Sequence, residues 1–196
     1  MKKYVPLIFL GIAALAALAL IIFLLLPGED SPASNDLAQT SSQGGLSLTS
    51  PDFTPGGPIP VRFSCDGEDI PPTLVWSGEP AGTASFVLIM DDPDAPGGIW
   101  THWIVYNLTA DTHGLDALVI PGVTLNDVPV FFGKNSWESQ VYGGPCPPSG
   151  THNYIFQLYS LDEMLSLPDN LSKAELEIVI GPHVLAFVEL VGTYTR

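Results

Sequence analysis

Between Leu46 and Tyr194, glycine and proline cut the chain into short apolar runs, and this punctuation limits the fold more than any other feature. LSLTS, TLVWSG, ASFVLIM, HWIVYNL and YIFQLYSL are rich in residues that suit a half-buried pleated surface. The Pro- and Gly-rich segments between them cannot continue a strand. Strands recurring at roughly ten-residue spacing predict a mainly β chain, folded as an antiparallel two-sheet β-sandwich. PIPVRFSC, at Pro58–Cys65, reads as a further short run. The stretch Asp111–Val130 reads as loop with one short strand around Ala117–Ile120.

Near the C-terminus the pattern changes. Ser172 stands where an N-cap belongs and Glu175 follows three residues later, the spacing of a capping box. A helix of two to three turns is predicted up to Gly181-Pro182. His183–Phe187 reads either as a further helical turn or as the run into a closing strand Val188–Tyr194.

Leu7–Leu26 is an unbroken apolar run behind Lys2 and Lys3. It is long enough to cross a hydrocarbon core of roughly 30 Å and longer than the apolar region of a secretory signal. No A-x-A pattern and no cysteine follows it. The reading is an uncleaved N-terminal transmembrane anchor over 1–28, then a flexible Ser/Asn/Gly-rich tether over 29–45, then a folded domain over 46–196. The two lysines stay cytoplasmic, placing the domain outside the cell membrane as a single-pass extracytoplasmic protein. All 21 acidic residues lie beyond residue 28, against Arg62, Lys134, Lys173 and Arg196, which gives that region a net charge of −17. Such a surface repels nucleic acid and anionic headgroups, so no nucleic-acid partner is expected.

Two stretches carry candidate chemistry. DDPDAPGGIWTHWIVYNL, from Asp91 to Leu108, joins two apolar runs through a turn that gathers Asp91, Asp92, Asp94, Trp100 and His102 at one sheet end. YGGPCPPSGTHNYIFQLYSLD, from Tyr142 to Asp162, repeats the design: a Gly/Pro loop, a His, then an alternating strand. Loops on a rigid sheet are where sites usually lie.

Together these stretches resemble the phosphatidylethanolamine-binding protein family, in its prokaryotic Raf-kinase-inhibitor-like branch. The matching residues are DPDAP at Asp92–Pro96, WTHW at Trp100–Trp103, GGPCPP at Gly143–Pro148 and GTH-x-Y at Gly150–Tyr154. CDGEDIPPTLVW at Cys65–Trp76 and the closing LVGTYTR are weaker echoes. The resemblance implies a sandwich with a short C-terminal helix followed by a strand, which favours the helical turn at His183–Phe187. It also implies a small pocket formed by Asp92, Trp100, His102, the Gly144-Pro145 turn, His152 and Tyr154. In that family the pocket takes phosphate, acetate-like anions and the phosphoethanolamine headgroup.

Elementary chemistry supports such a pocket. Two imidazoles and the amides of a Gly-rich turn supply donors to a phosphate without a lysine. Asp92 favours the charged form of a nearby imidazole. An ethanolamine ammonium would meet Asp94 or the face of Trp100. Two departures weaken the match: Asn153 stands where the family commonly has Arg, and Gly97-Gly98 where many members carry a basic residue. The resemblance also places Cys65 and Cys146 near the pocket. They are either two free thiols or a disulfide, and the exported compartment favours the disulfide.

The expected function is a membrane-tethered, non-enzymatic binding module for phosphate-type anions or phospholipid headgroups, with no cofactor. Inhibition of a kinase or protease is a family association, and no protein partner is named by the residues. The alternatives are a metal-dependent hydrolase using Asp92, Asp94, His102 and His152, and a structural surface protein with a vestigial pocket.

Overall fold

The computed structural model describes residues 45–196. The expected anchor at 1–28 and nearly all of the expected tether at 29–45 lie outside the described residues. Among the described residues no helix is long and apolar enough to cross a membrane.

In chain order the strands are β1 (Ser47–Thr49), β2 (Leu74–Ser77), β3 (Ser85–Asp92), β4 (Trp100–Thr109) and β5 (Gly114–Leu115). Then follow β6 (Thr124–Leu125), β7 (Val128–Pro129), β8 (Phe131–Phe132), β9 (Thr151–Leu161), helix α1 (Lys173–Ile180) and β10 (Val184–Thr195). They form a five-stranded sheet ordered β10-β9-β3-β4-β8, a three-stranded sheet β1-β2-β5, and a small hairpin β6-β7. Within each sheet the pairing is antiparallel.

The larger core fills the space between the two sheets. Even-numbered residues of the central strand β3 (Phe86, Leu88, Met90) meet Leu48, Leu74, Trp76 and Leu115 of the small sheet across it. Odd-numbered residues of β3 (Val87, Ile89) face the other way, beneath Leu176 and Ile180 of α1. With a layer on either side, every residue of β3 is buried. That explains why SFVLIM is continuously apolar rather than alternating. At β9, an eleven-residue strand with α1 over only part of its length, alternation is retained.

Helix α1 begins as its sequence dictates. Ser172 accepts from the Glu175 amide, and the Glu175 carboxylate accepts from the Ser172 amide, closing the capping box. Lys173, in its first turn, reaches down to the buried Asp91, whose second oxygen accepts from Thr101.

Three local expectations are corrected. Pro58–Cys65 is no strand: Pro58 and Pro60 lack amides for a ladder, and Val61–Phe63 form a 3-10 turn instead. Ala117–Ile120 is a turn, because Asp116 accepts from the Leu118 amide at 2.8 Å and pulls the chain round. The helical turn expected at His183–Phe187 is limited to a 3-10 turn at Gly181–His183, and the closing strand starts at Val184 rather than Val188. There the Asp162 amide donates to the His183 carbonyl, tying the strand's start to the end of β9.

Candidate functional site

The site lies at the end of the five-stranded sheet where β3 turns into β4 and β9 begins. Asp92 is the last residue of β3 and pairs with Trp100 across the hairpin. His152, the second residue of β9, lies on the inner face with Tyr154, Phe156 and Leu158. The Asp92 carboxylate accepts from His152 Nδ1 at 2.7 Å, and both residues are buried.

His102 reaches the same face by an irregularity. Met90 pairs with Trp103 but Asp91 pairs with Thr101, so His102 is the extra residue of a β-bulge. Strict alternation would put His102 with Ile104 and Tyr106, under α1. The bulge turns it to the inner face, with its ring edge-on to Tyr154 at 5.2 Å and to Trp137 at 5.0 Å. Its Nδ1 bonds the Gly143 carbonyl at 2.7 Å. Burial, outweighing that bond and the charges of Asp92 and Asp91, holds its pKa below the ordinary histidine value.

These side chains enclose a cavity of about 330 Å³ whose walls include Asp92, Pro96, Trp100, His102, Trp137 and His152. Each histidine commits Nδ1 to an acceptor, so Nε2 is the ring nitrogen left for a ligand. Among the described residues every Lys and Arg is paired with a carboxylate. None of them lines this cavity, whose walls offer imidazole rather than ammonium or guanidinium groups.

Other expected residues lie around the cavity, with different work. The Gly144 amide does not face it: that N–H donates to Asp69 Oδ1 at 2.7 Å, and Pro145 contributes its carbonyl to the Cys65 amide. The expected amide donors of this turn are thus engaged within the protein. Asp94 is turned aside too, its carboxylate accepting from the backbone and side-chain nitrogens of Asn153, both at 2.8 Å. Those two bonds, the backbone one foremost, hold its pKa below the usual carboxylate value. Asn153 takes up Asp94 where the family's Arg would stand. The Tyr154 hydroxyl is buried behind the cavity, near Asp92 and the Cys146 amide, with no well-formed hydrogen bond to either. Burial raises its pKa.

The metal reading finds no support in this geometry. Asp94 bonds Asn153, His102 Nδ1 bonds a carbonyl, and among the described residues no three His, Cys, Asp or Glu side chains are grouped so as to hold a metal ion.

Cys65 and Cys146 are joined, with Cα atoms 5.5 Å apart. Cys146 and Trp137 also form the boundary to a second cavity of about 330 Å³, which holds Asp69, Ser139 and Tyr142. Sequence reasoning missed Trp137, Asn135 and Asp69. Asn135 is the organiser: its Oδ1 accepts from the Trp137 and Ser139 amides, and its Nδ2 donates to the carbonyls of Val141 and His102. Gly143 lets the Trp137 ring lie against the backbone, since a Cβ there would sit 2.7 Å from the ring. An Asn two residues before an exposed Trp, ahead of a Gly-Gly turn, was the available signal.

A family model described as phosphatidylethanolamine-binding protein matches residues 49–195. A UPF0098 protein of Methanothermobacter thermautotrophicus is 43% identical over 151 residues, covering 77% of this chain and 99% of that protein. LppC of Mycobacterium tuberculosis, whose name designates it a lipoprotein, is 42% identical over 151 residues, 76% of this chain and 72% of its own. Among solved structures, the Chlamydia trachomatis homologue CT736 has a TM-score of 0.71 at 37% identity, covering 79% of this chain and 99% of its own. Escherichia coli YbcL has a TM-score of 0.71 at 29% identity, with 78% and 99% covered.

Proposed function

The chain belongs to the phosphatidylethanolamine-binding protein family, and from that premise we propose that it is a non-enzymatic binding module for phosphate-type anions, including the phosphoethanolamine headgroup. One observation carries the reading: two buried histidines, each with Nδ1 engaged, line one cavity beside Trp100 and Trp137. A neutral ring with Nδ1–H offers only a lone pair at Nε2. It becomes a donor toward a phosphate oxygen on protonation, so anion capture draws protons onto the ring nitrogens. With no Lys or Arg of the described residues lining the cavity, affinity is modest and favours low ligand charge. The aromatic walls suit the remainder of a headgroup, with the ammonium over a Trp face.

Membrane tethering is part of the same proposal. The apolar run at 7–26 supports it, as does the lipoprotein designation of the M. tuberculosis relative. A domain held beside a bilayer meets phospholipid headgroups at high local concentration.

The test is titration of the full chain, in a mild detergent, with inorganic phosphate and O-phosphoethanolamine, followed by the NMR ring signals of His102 and His152. Saturable shifts at both rings, unaffected by EDTA and absent in His152→Ala, are expected. No shift with either ligand sinks the proposal. Broadening on Zn²⁺ or Mn²⁺ alone would replace it with the metal reading.

A further inference from the structure

Asp69 closes the CDGED stretch and lines the second cavity, not the one that holds the histidines. Two hydrogen bonds nevertheless connect it to His102. His102 Nδ1 bonds the carbonyl of Gly143 at 2.7 Å, and the amide of Gly144 donates to Asp69 Oδ1 at 2.7 Å. That C=O and that N–H belong to one planar peptide group, and they point in opposite directions from it. The carboxylate and the imidazole therefore grip the two ends of a single amide, about 7 Å apart.

Everything around this amide holds it in place. A Cβ on Gly144 would lie 2.3 Å from the Phe63 carbonyl oxygen and 2.7 Å from Asp69 Oδ1, so only glycine lets the carboxylate approach. Asp69 itself has a φ of 56°, in the left-handed region that Asp tolerates better than most residues. The Cys65–Cys146 disulfide fastens the loop before Asp69 to the loop after Gly144. On the other side, the Gly143 amide and Asn135 Nδ2 both donate to the His102 backbone carbonyl.

We infer that Asp69 is a positioning residue of the histidine cavity, acting on His102 through the Gly143–Gly144 peptide. A carboxylate accepting from the N–H polarises the amide, and its carbonyl becomes a stronger acceptor for the imidazole N–H. Two consequences follow for the ring. His102 is locked in its Nδ1–H tautomer, keeping Nε2 toward the ligand. Its imidazolium is also favoured, which opposes the effect of burial. The other charged or titratable groups facing this ring are Asp91 and Asp92 from β3, and His152 and Tyr154 from β9. Asp69 alone among these carboxylates reaches it along a hydrogen-bonded amide.

The consequence for ligands rests on the anion reading above, but the test does not. Nitrogen-15 NMR of the ligand-free full chain reports the tautomer and titration of each histidine ring. Asp69→Asn retains an acceptor oxygen and removes the charge. It is expected to keep the tautomer while moving the His102 titration down by about half to one pH unit, with His152 unmoved. Asp69→Ala should mix the His102 tautomers as well. Where phosphate binds, the same change weakens it about three- to tenfold at neutral pH. An unmoved His102 titration in Asp69→Asn, with its amide spectrum folded, overturns the inference and leaves Asp69 a turn residue. That result would leave phosphate binding by the parent chain intact, and failure of phosphate binding would leave the His102 shift readable.

Discussion

Removing the Cys65–Cys146 bridge, as Cys65→Ser with Cys146→Ser, is the perturbation whose size the structure fixes best. The two cysteines are 81 residues apart in sequence, so the bridge closes more than half of the described chain. In the chain-entropy treatment a loop of that length confers about 4.5 kcal/mol, by restricting the unfolded ensemble. Cys65 is exposed and Cys146 only half-buried, so serine costs little packing. Urea unfolding of the full chain, oxidised against the double variant, is the assay. With a slope of about 1–3 kcal/mol per molar, the midpoint should fall by roughly 1.5–4.5 M. A second readout concerns the site, because the bridge also fastens the loops that hold Asp69 and Gly144. The folded double variant should show His102 in mixed tautomers. A stability loss below about 1 kcal/mol would refute the loop-closure reasoning. An unchanged His102 spectrum would show that Asn135 and the Gly143 pairing hold the peptide without help.

Three further outcomes are expected. Because burial lowers the His102 pKa in the folded state, the unfolded chain binds more protons below its pKa of about 6.5; stability in urea should fall as pH drops through that value, by up to about 1.4 kcal/mol per pH unit from this group, while His102→Gln flattens the profile. Lys173→Met leaves the buried Asp91 with only the Thr101 hydroxyl and should cost about 3 kcal/mol; adding Asp91→Asn should recover most of it, and a single-variant loss under about 1 kcal/mol would contradict the pairing. Asp94→Ala should leave the ratio of phosphoethanolamine to phosphate affinity within about twofold, since that carboxylate is exposed and engaged by Asn153; a larger fall in calorimetric titration would restore it as the ammonium partner.

The strands with continuous apolar content and the capped helix were legible in the chain, because period and cap chemistry act locally. Pro58–Cys65 and Ala117–Ile120 were misread for the same local reason: both have apolar composition, but proline in one and Asp116 in the other deny the backbone a ladder. The motif resemblance brought Asp92 and His152 to one pocket without saying which imidazole Asp92 bonds. The Gly144 amide could not be placed, since its partner Asp69 lies 75 residues away and no local pattern joins them. Trp137 was hidden by its setting in a polar loop. Its position depends on the absence of a side chain at Gly143, which composition shows only as another glycine.

The bulge at His102 puts a matter of odd and even numbering at the centre of the site. A strand exchanges its faces each time one residue is added or lost. Losing one residue from Thr101–His102 would remove this irregularity from the ladder with β3, leaving the one between Phe86 and Leu88. It would also leave a single side chain opposite Met90, and the cavity would lose one of its two imidazoles. A three-nucleotide deletion here would remove an imidazole from the cavity and would also disturb the Thr101 bond to Asp91 and the His102 carbonyl that receives Asn135 and the Gly143 amide.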